Sequence, residues 1–201
     1  TNYGAGAYTW AARDSLSNIV EFAEGGYAVN TFGAGVHTHL DTVPGIPTTN
    51  EVTASLRYTN ATALDMGGNL LDVTEGGILV TPTVGGAASI ENGGLTSSGC
   101  ELIFHNYADT LGSLAISAGI TGVVDLTFSG TGRTVLSGTN TFSGVTRIHG
   151  GTVEIDNASR LGTGNDNLEL RGGVLATTAG MFLSNRTVIL GGDGGTFDVA
   201  A

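Results

Sequence analysis

The chain contains no lysine; its seven cations are all arginines, set against 18 acidic residues, for a formal net charge of −11. Affinity for a polyanion comes mainly from clustered Lys and Arg, so this balance disfavours nucleic acid as a partner. Cysteine is almost absent too. Cys100 has no partner for an intrachain disulfide, and a lone cysteine reads first as a buried, inert side chain and second as half of an intermolecular bridge. No apolar run approaches the roughly 20 residues that a membrane-spanning helix needs. No charged start, apolar core and cleavage site mark a signal peptide either. The segment is therefore expected to insert in no membrane, and an export signal would lie outside it or have been removed.

What is present is glycine, 34 residues of it, with only 3 prolines, 12% charged and 40% hydrophobic residues. That apolar content is too high for a disordered chain. Abundant Gly, Thr, Val, Ile and Leu favours short strands joined by tight turns over helices. Gly151, Gly173 and Gly195 each open a similar segment (GTVEI, GVLAT, GTFDV) and stand 22 residues apart. A fixed period near 20 is the mark of a coil that stacks on itself. Gly-Gly pairs starting at Gly67, Gly76, Gly85 and Gly93 recur every eight or nine residues, which suits one strand plus one corner of a three-sided rung.

The expected fold is all-β, a right-handed parallel β-helix (β-solenoid) with an irregular N-terminal capping segment. Residues 1–47 hold six of the thirteen aromatics (Tyr3, Tyr8, Trp10, Phe22, Tyr27 and Phe32) and form the expected cap. Within it, Leu16, Ile19, Val20 and Ala23 recur at helical spacing behind Asp14 or Ser15, so one short helix is expected over 14–24. The run VPGIPTTN, residues 43–50, is a loop, because proline cannot donate to a ladder. Residues 48–201 form the solenoid body, with rungs of about 22 residues. Alternation sends Val153, Ile155, Leu168 and Leu170 inward, and Thr152, Glu154, Glu169 and Arg171 outward.

The stretch LSGTNTFSGVTRIHGGTVEI resembles the autotransporter-associated β-strand repeat nearly position for position. Leu136, Ser137, Gly138, Asn140, Thr141, Phe142, Gly144, Thr146, Gly151, Thr152, Val153, Leu161, Gly162, Gly172, Gly173 and Leu175 fill its slots. Phe142 stands where tyrosine is usual, Val145 where a second glycine is, and Arg133-Thr134 where Gly-Thr is common. The similarity covers about 51–201 and is most specific in the last third. It implies an exported right-handed parallel β-helix, the passenger or fibre region of a longer bacterial cell-surface protein. Gly138, Asn140, Gly144, Gly151, Gly173 and Gly195 are then structural repeat positions. The chain stops inside the rung that Gly195 opens, so a fragment of a longer chain is expected.

Several local patterns resemble chemical sites. His37-Thr-His39-Leu-Asp41 places two imidazoles and a carboxylate on one face of a strand, the pattern of a zinc site. The closing histidine of the hydrolase string is absent, since Thr42 follows, and His105 and His149 come from distant repeat strands; the alternative is a polar loop near the cap. GGDGGTFDV resembles a calcium-binding nonapeptide, but its sixth place is held by Asp72, Thr81, Ile90 and Thr196 in the four Gly-Gly units, with one carboxylate among them. Polysaccharide-cleaving β-helices need paired carboxylates. In the 22-residue register Glu154 meets Ala176 before Asp198, and Asp156 meets Thr178, so no aligned acidic ladder forms. Neither G-x-S-x-G nor a P-loop occurs. Asn60, Asn157 and Asn185 head glycosylation sequons that matter only in a glycosylating secretory pathway.

The expectation is therefore a segment with no catalytic residues and no cofactor, structural or adhesive and extracellular. It would continue or self-associate end to end, with a cell-surface or glycan ligand as a further partner. The alternative is a polysaccharide-binding or polysaccharide-cleaving β-helix.

Overall fold

The computed structural model describes residues 10–13, 19–21, 23–163, 167–181, 183 and 186–200. Near the N-terminus β1 (Ala11–Arg13) and β2 (Ile19–Glu21) form an antiparallel pair. Every later strand pairs in parallel, in two sheets, one of them branched. The longer ladder runs through β3 (Tyr27–Val29), β4 (His37–Leu40), β5 (Glu51–Tyr58) and, after β6 (Ala63–Asp65) has left for the other ladder, β7 (Leu70–Val80). The chain then lays down β8 (Ala87–Glu91), β9 (Gly94–Thr96), β10 (Leu102–Asn106), β11 (Ser113–Ile116), β12 (Gly119–Ile120), β13 (Leu126–Gly130) and β14 (Arg133–Leu136). It finishes with β15 (Thr146–Ile148), β16 (Thr152–Ile155), β17 (Leu168–Leu170), β18 (Val174–Thr177), β19 (Val188–Leu190) and β20 (Thr196–Val199).

The long ladder orders β3-β4-β5-β7-β10-β13-β15-β17-β19, and the second orders β6-β8-β11-β14-β16-β18-β20. A third side branches from the long strands. There the first halves of β5 and β7 pair with each other, β7 continues to β9, and β9 to β12. The chain is thus a three-sided parallel β-solenoid of about seven turns. The register the glycines mark is real: Thr152, Val174 and Thr196 are aligned on successive turns. The period is not constant, because Arg133 pairs with Thr152, 19 residues on, whereas Ala63 pairs with Ser89, 26 residues on. Corner loops absorb the difference while the strand faces stay in register, since one slipped residue would turn every core side chain to water.

Two features depart from the expected N-terminal segment. Residues 14–18 and 22 lie outside the described residues, but Ile19–Glu21, inside the expected helix, is a strand, and Glu24–Gly26 is one 3-10 turn. The β-branched pair Ile19-Val20 joins the Ala11–Arg13 ladder, which outweighs a weak helical period. The parallel ladder also extends N-terminal to position 48, because His37–Leu40 alternates half-buried and buried residues and so fits a sheet with a covered inner face.

In-register parallel pairing puts like residues on top of one another. Leu56, Ile78, Phe104, Phe128, Ile148 and Leu170 form one continuous inward row. The rings of Phe104 and Phe128 stack 4.8 Å apart at 9°, the spacing of adjacent strands. Polar groups are buried in this core as well, the Tyr58 phenol among them. Tyr58 Oη donates to the Ser89 carbonyl at 2.8 Å, and burial, with Glu91 second, holds its phenol well above the ordinary range. The unfolded chain ionises this phenol from pH about 10, so its contribution is complete below that pH and is lost as pH rises further. Tyr58→Phe is therefore expected to cost about 1 kcal/mol at neutral pH and to flatten the alkaline decline. Urea unfolding across that range checks it; an unchanged alkaline limb would remove Tyr58 as its source.

Candidate functional site

Period two sends Thr38 and Leu40 of β4 into the core and leaves His37 and His39 on the outer face. His37 Nδ1 lies 2.9 Å from Ser55 Oγ, and His39 Nε2 lies 2.7 Å from Thr59 Oγ1. Arg57 Nη2 donates to His39 Nδ1 at 3.2 Å, and its guanidinium lies 3.8 Å from the centre of the Tyr27 ring. Asp41 sits past the strand end, where Asn60 Nδ2 donates to its carbonyl at 2.9 Å and to its carboxylate at 2.8 Å. The two histidines do share a face, as alternation requires. A metal would need a ring lone pair, and that of His39 Nδ1 is turned to a permanently charged guanidinium. The donor set does not fit a metal, and no group of three His, Cys, Asp or Glu among the described residues is placed to hold one.

Several carboxylates of the later turns are paired with arginines. Arg147 on β15 donates to Asp125 at 2.8 Å and lies 3.6 Å from Glu101 and 3.7 Å from Glu169, so it bridges successive turns. The hydrogen bond it donates to Asp125, ahead of the neighbouring charges, raises its already high pKa. Arg133 forks onto Glu154 at 3.0 Å and by a second contact of 2.6 Å, and Arg160 holds Asp156 at 2.7 Å. That last contact draws the Asp156 carboxyl below its ordinary range. Each such exposed pair contributes about 0–1 kcal/mol. Glu154, Ala176 and Asp198 are register neighbours, as the 22-residue spacing predicts. Glu154 is thereby tied to Arg133 and separated from Asp198 by an alanine.

The repeat positions are contact points between turns. A Cβ on Gly138 would overlap the Ala118 carbonyl, one on Gly144 the Val124 carbonyl, one on Gly173 the Ile148 side chain and one on Gly195 the Leu170 side chain. Gly151 combines such closeness, to the Gly132 carbonyl, with φ +67°. Asn140 is buried; its Oδ1 accepts from Ile120 N at 2.8 Å and its Nδ2 donates to Arg160 O at 2.6 Å, joining three turns. Asn106, buried at the end of β10, plays a similar part toward Ala108 N and Arg133 O. It lies in no repeat slot. Its one sequence signal is a polar residue at an inward parity on an otherwise apolar strand.

Cys100 is exposed, contrary to the buried side chain first expected. It lies on the corner between β9 and β10, with Sγ 3.5 Å from Ser97 Oγ; a corner points side chains away from the coil axis. Asn157, the head of a sequon, caps the 3-10 turn Ala158–Leu161 through Ser159 N at 2.9 Å. Asn185 lies outside the described residues.

The last turn differs from those before it. Val188 and Leu190 continue the inward row of Leu168 and Leu170, and Phe197 and Val199 continue that of Leu175 and Thr177. Yet they are 38, 59, 41 and 59% exposed, whereas Leu168, Leu170 and Leu175 are fully buried. The free edges of β19 and β20 and this uncovered inner face make one surface.

A stack of parallel turns with asparagines, glycines and arginines bridging them defines a repeat scaffold whose chemistry is self-complementary from turn to turn. Residues 126–155, at the centre of that scaffold, match the family model of the passenger-associated-transport-repeat. Over those residues the chain thus carries an autotransporter passenger repeat. It is also similar to the adhesin BmaC autotransporter of Brucella suis biovar 1 (strain 1330), with 37% identity over 91 residues. That similarity covers 45% of this chain and 2% of the relative's length. No solved structure matches it. Among the described residues no helix is long and apolar enough to cross a membrane.

Proposed function

We propose that this chain is a non-catalytic structural or adhesive segment of an extracellular bacterial surface protein. Its solenoid is extended end to end, by more of the same chain or by another copy stacking on its last turn. Residues 48–201 carry most of the length, with residues 1–47 as an N-terminal capping segment. What supports this reading is the in-register parallel ladder, in which the edge of each turn is paired by the next. Such an edge is a template for another strand, and a heterologous, head-to-tail contact propagates into a filament. A non-catalytic role is supported by the pairing of Asp125, Glu154, Asp156 and Glu169 with arginines, because acid/base chemistry needs two carboxyl groups with separated roles facing one groove. The likeness to an adhesin supports adhesion as the use of the length.

The test is association against concentration, followed by sedimentation and electron microscopy. The native chain is expected to form rods that lengthen with concentration, and the double variant Leu190→Glu, Phe197→Glu to remain as single short rods. Short monodisperse native rods at high concentration would overturn end-to-end stacking by separate copies. Release of unsaturated sugars from an acidic polysaccharide would overturn the non-catalytic reading.

A further inference from the structure

Successive corners on one edge of the solenoid differ in length. Residues 107–112 link β10 to β11, whereas on the next turn residues 131–132 alone link β13 to β14. The longer corner overhangs the shorter one, and a notch of about 320 Å³ lies between them. Asp109 and Leu111 line it from the overhang, Thr131 and Arg133 from the next turn, and Thr152 from the turn after that. The notch is held open by hydrogen bonds of its own walls. Asp109 Oδ1 accepts from Leu111 N at 2.9 Å and from Gly112 N at 3.0 Å, which fixes the overhang. The buried Asn106 carboxamide accepts from Ala108 N at 3.0 Å and donates to Arg133 O at 2.9 Å, so one side chain sets the distance between the two sides.

We propose that this notch binds an uncharged sugar unit of a surface glycan, with one ring hydroxyl donating to Asp109 Oδ2 and another accepting from Arg133 Nη1. The proposal rests on the adhesive reading above for its use, which is attachment.

The lining decides the ligand class. Asp109 and Arg133 bring opposite charges to one notch, yet Arg133 spends Nε and Nη2 on Glu154 and Asp109 spends Oδ1 on two backbone N–H groups. Among the described residues Asp109 Oδ2 and Arg133 Nη1 have no protein partner. Ser113, Arg133 and Thr152 are register neighbours on three successive strands, about 4.8 Å apart from strand to strand, so the arginine stands between two hydroxyl side chains. A hydroxyl both donates and accepts, and a ring that bears several of them satisfies a carboxylate and a guanidinium at once. An anion would meet Asp109 and Glu154 on a chain of net charge −11, and a cation would meet Arg133. Leu111, 80% exposed, offers methyl groups to the C–H face of a sugar ring. The volume is at the small end of the roughly 300–1,000 Å³ of ligand pockets, a size that admits a sugar and no folded partner.

The test titrates the isotope-labelled 201-residue chain with methyl mannoside, methyl galactoside and methyl glucoside, and with N-acetylneuraminic acid as the anionic comparison, reading amide NMR shifts. At least one neutral glycoside is expected to give saturable shifts centred on residues 108–113, 131–133 and 152, and to bind more tightly than the anionic sugar. Asp109→Asn keeps the acceptor that caps the overhang and removes the free carboxylate oxygen, so affinity should fall about tenfold or more. If that variant loses the dichroism of the solenoid, Thr152→Leu, which narrows the notch and touches no cap, decides in its place with the same expected loss. No saturable shift from any neutral glycoside would overturn the proposal. So would shifts centred elsewhere, tighter binding of the anionic sugar, or unchanged affinity in the deciding variant. Attachment of chain-coated beads to a surface bearing the same glycosides separates this site from the adhesive reading. Amide shifts without attachment leave the site standing and count against adhesion, whereas attachment without amide shifts removes the site and leaves adhesion.

Discussion

Phe104→Ala is expected to lower the free energy of unfolding by about 3–5 kcal/mol, one of the two largest single effects in this chain. The ring is fully buried and stacked on Phe128 at 4.8 Å, with Ile78 as its register neighbour on the other side. Removing it deletes a layer of the inward row instead of trimming its margin. The neighbouring turns are held by backbone ladders at fixed spacing, so they cannot collapse into the void, and the cavity term adds to the lost transfer free energy. Ile103→Ala, one position along and half-buried on the outer face, should cost only about 1 kcal/mol. Urea unfolding followed by circular dichroism measures both. Equal losses at 103 and 104 would show that the parity assigned to β10 does not govern its energetics.

Asn140→Leu is the second, with an expected loss of about 2–4 kcal/mol, since each buried group left without a partner costs about 1–3 kcal/mol. Leucine keeps the branched four-atom skeleton of asparagine, somewhat enlarged, but strands two backbone groups on different turns, the N–H of Ile120 and the carbonyl of Arg160. Thr139→Ala, at the exposed neighbouring position, should stay within about 0.5 kcal/mol of the native chain. The same unfolding measurement decides. If Asn140→Leu were as mild as Thr139→Ala, the carboxamide would not be the joint between turns that its distances describe.

Much of this architecture is legible from residue order because a solenoid is built from local, repeated choices. The parity of Val153, Ile155, Leu168 and Leu170 needs only alternation, and the alignment of Thr152, Val174 and Thr196 needs only the 22-residue glycine spacing. The N-terminal quarter is less legible. Ile19 and Val20 sit at helical spacing in a window too short to arbitrate, and their strand depends on a partner at Ala11–Arg13. His37 and His39 were visible as a shared face. What lies on that face was not, because Arg57 and Thr59 arrive one turn later, through a loop whose length no local pattern predicts.

By itself, then, the sequence determines the coil: its strand parity, its glycine corners, its acidic lysine-free exterior and the slots that Asn140 and Gly151 fill. Each of these follows from the residue and its near neighbours. Only the tertiary structure decides which turn sits on which, how 19- and 26-residue turns share one register, and that Trp10 fills the seat left by Gly77 beside His105. Those contacts join residues that are not sequence neighbours, and their energy exists only once the coil has closed and brought them together.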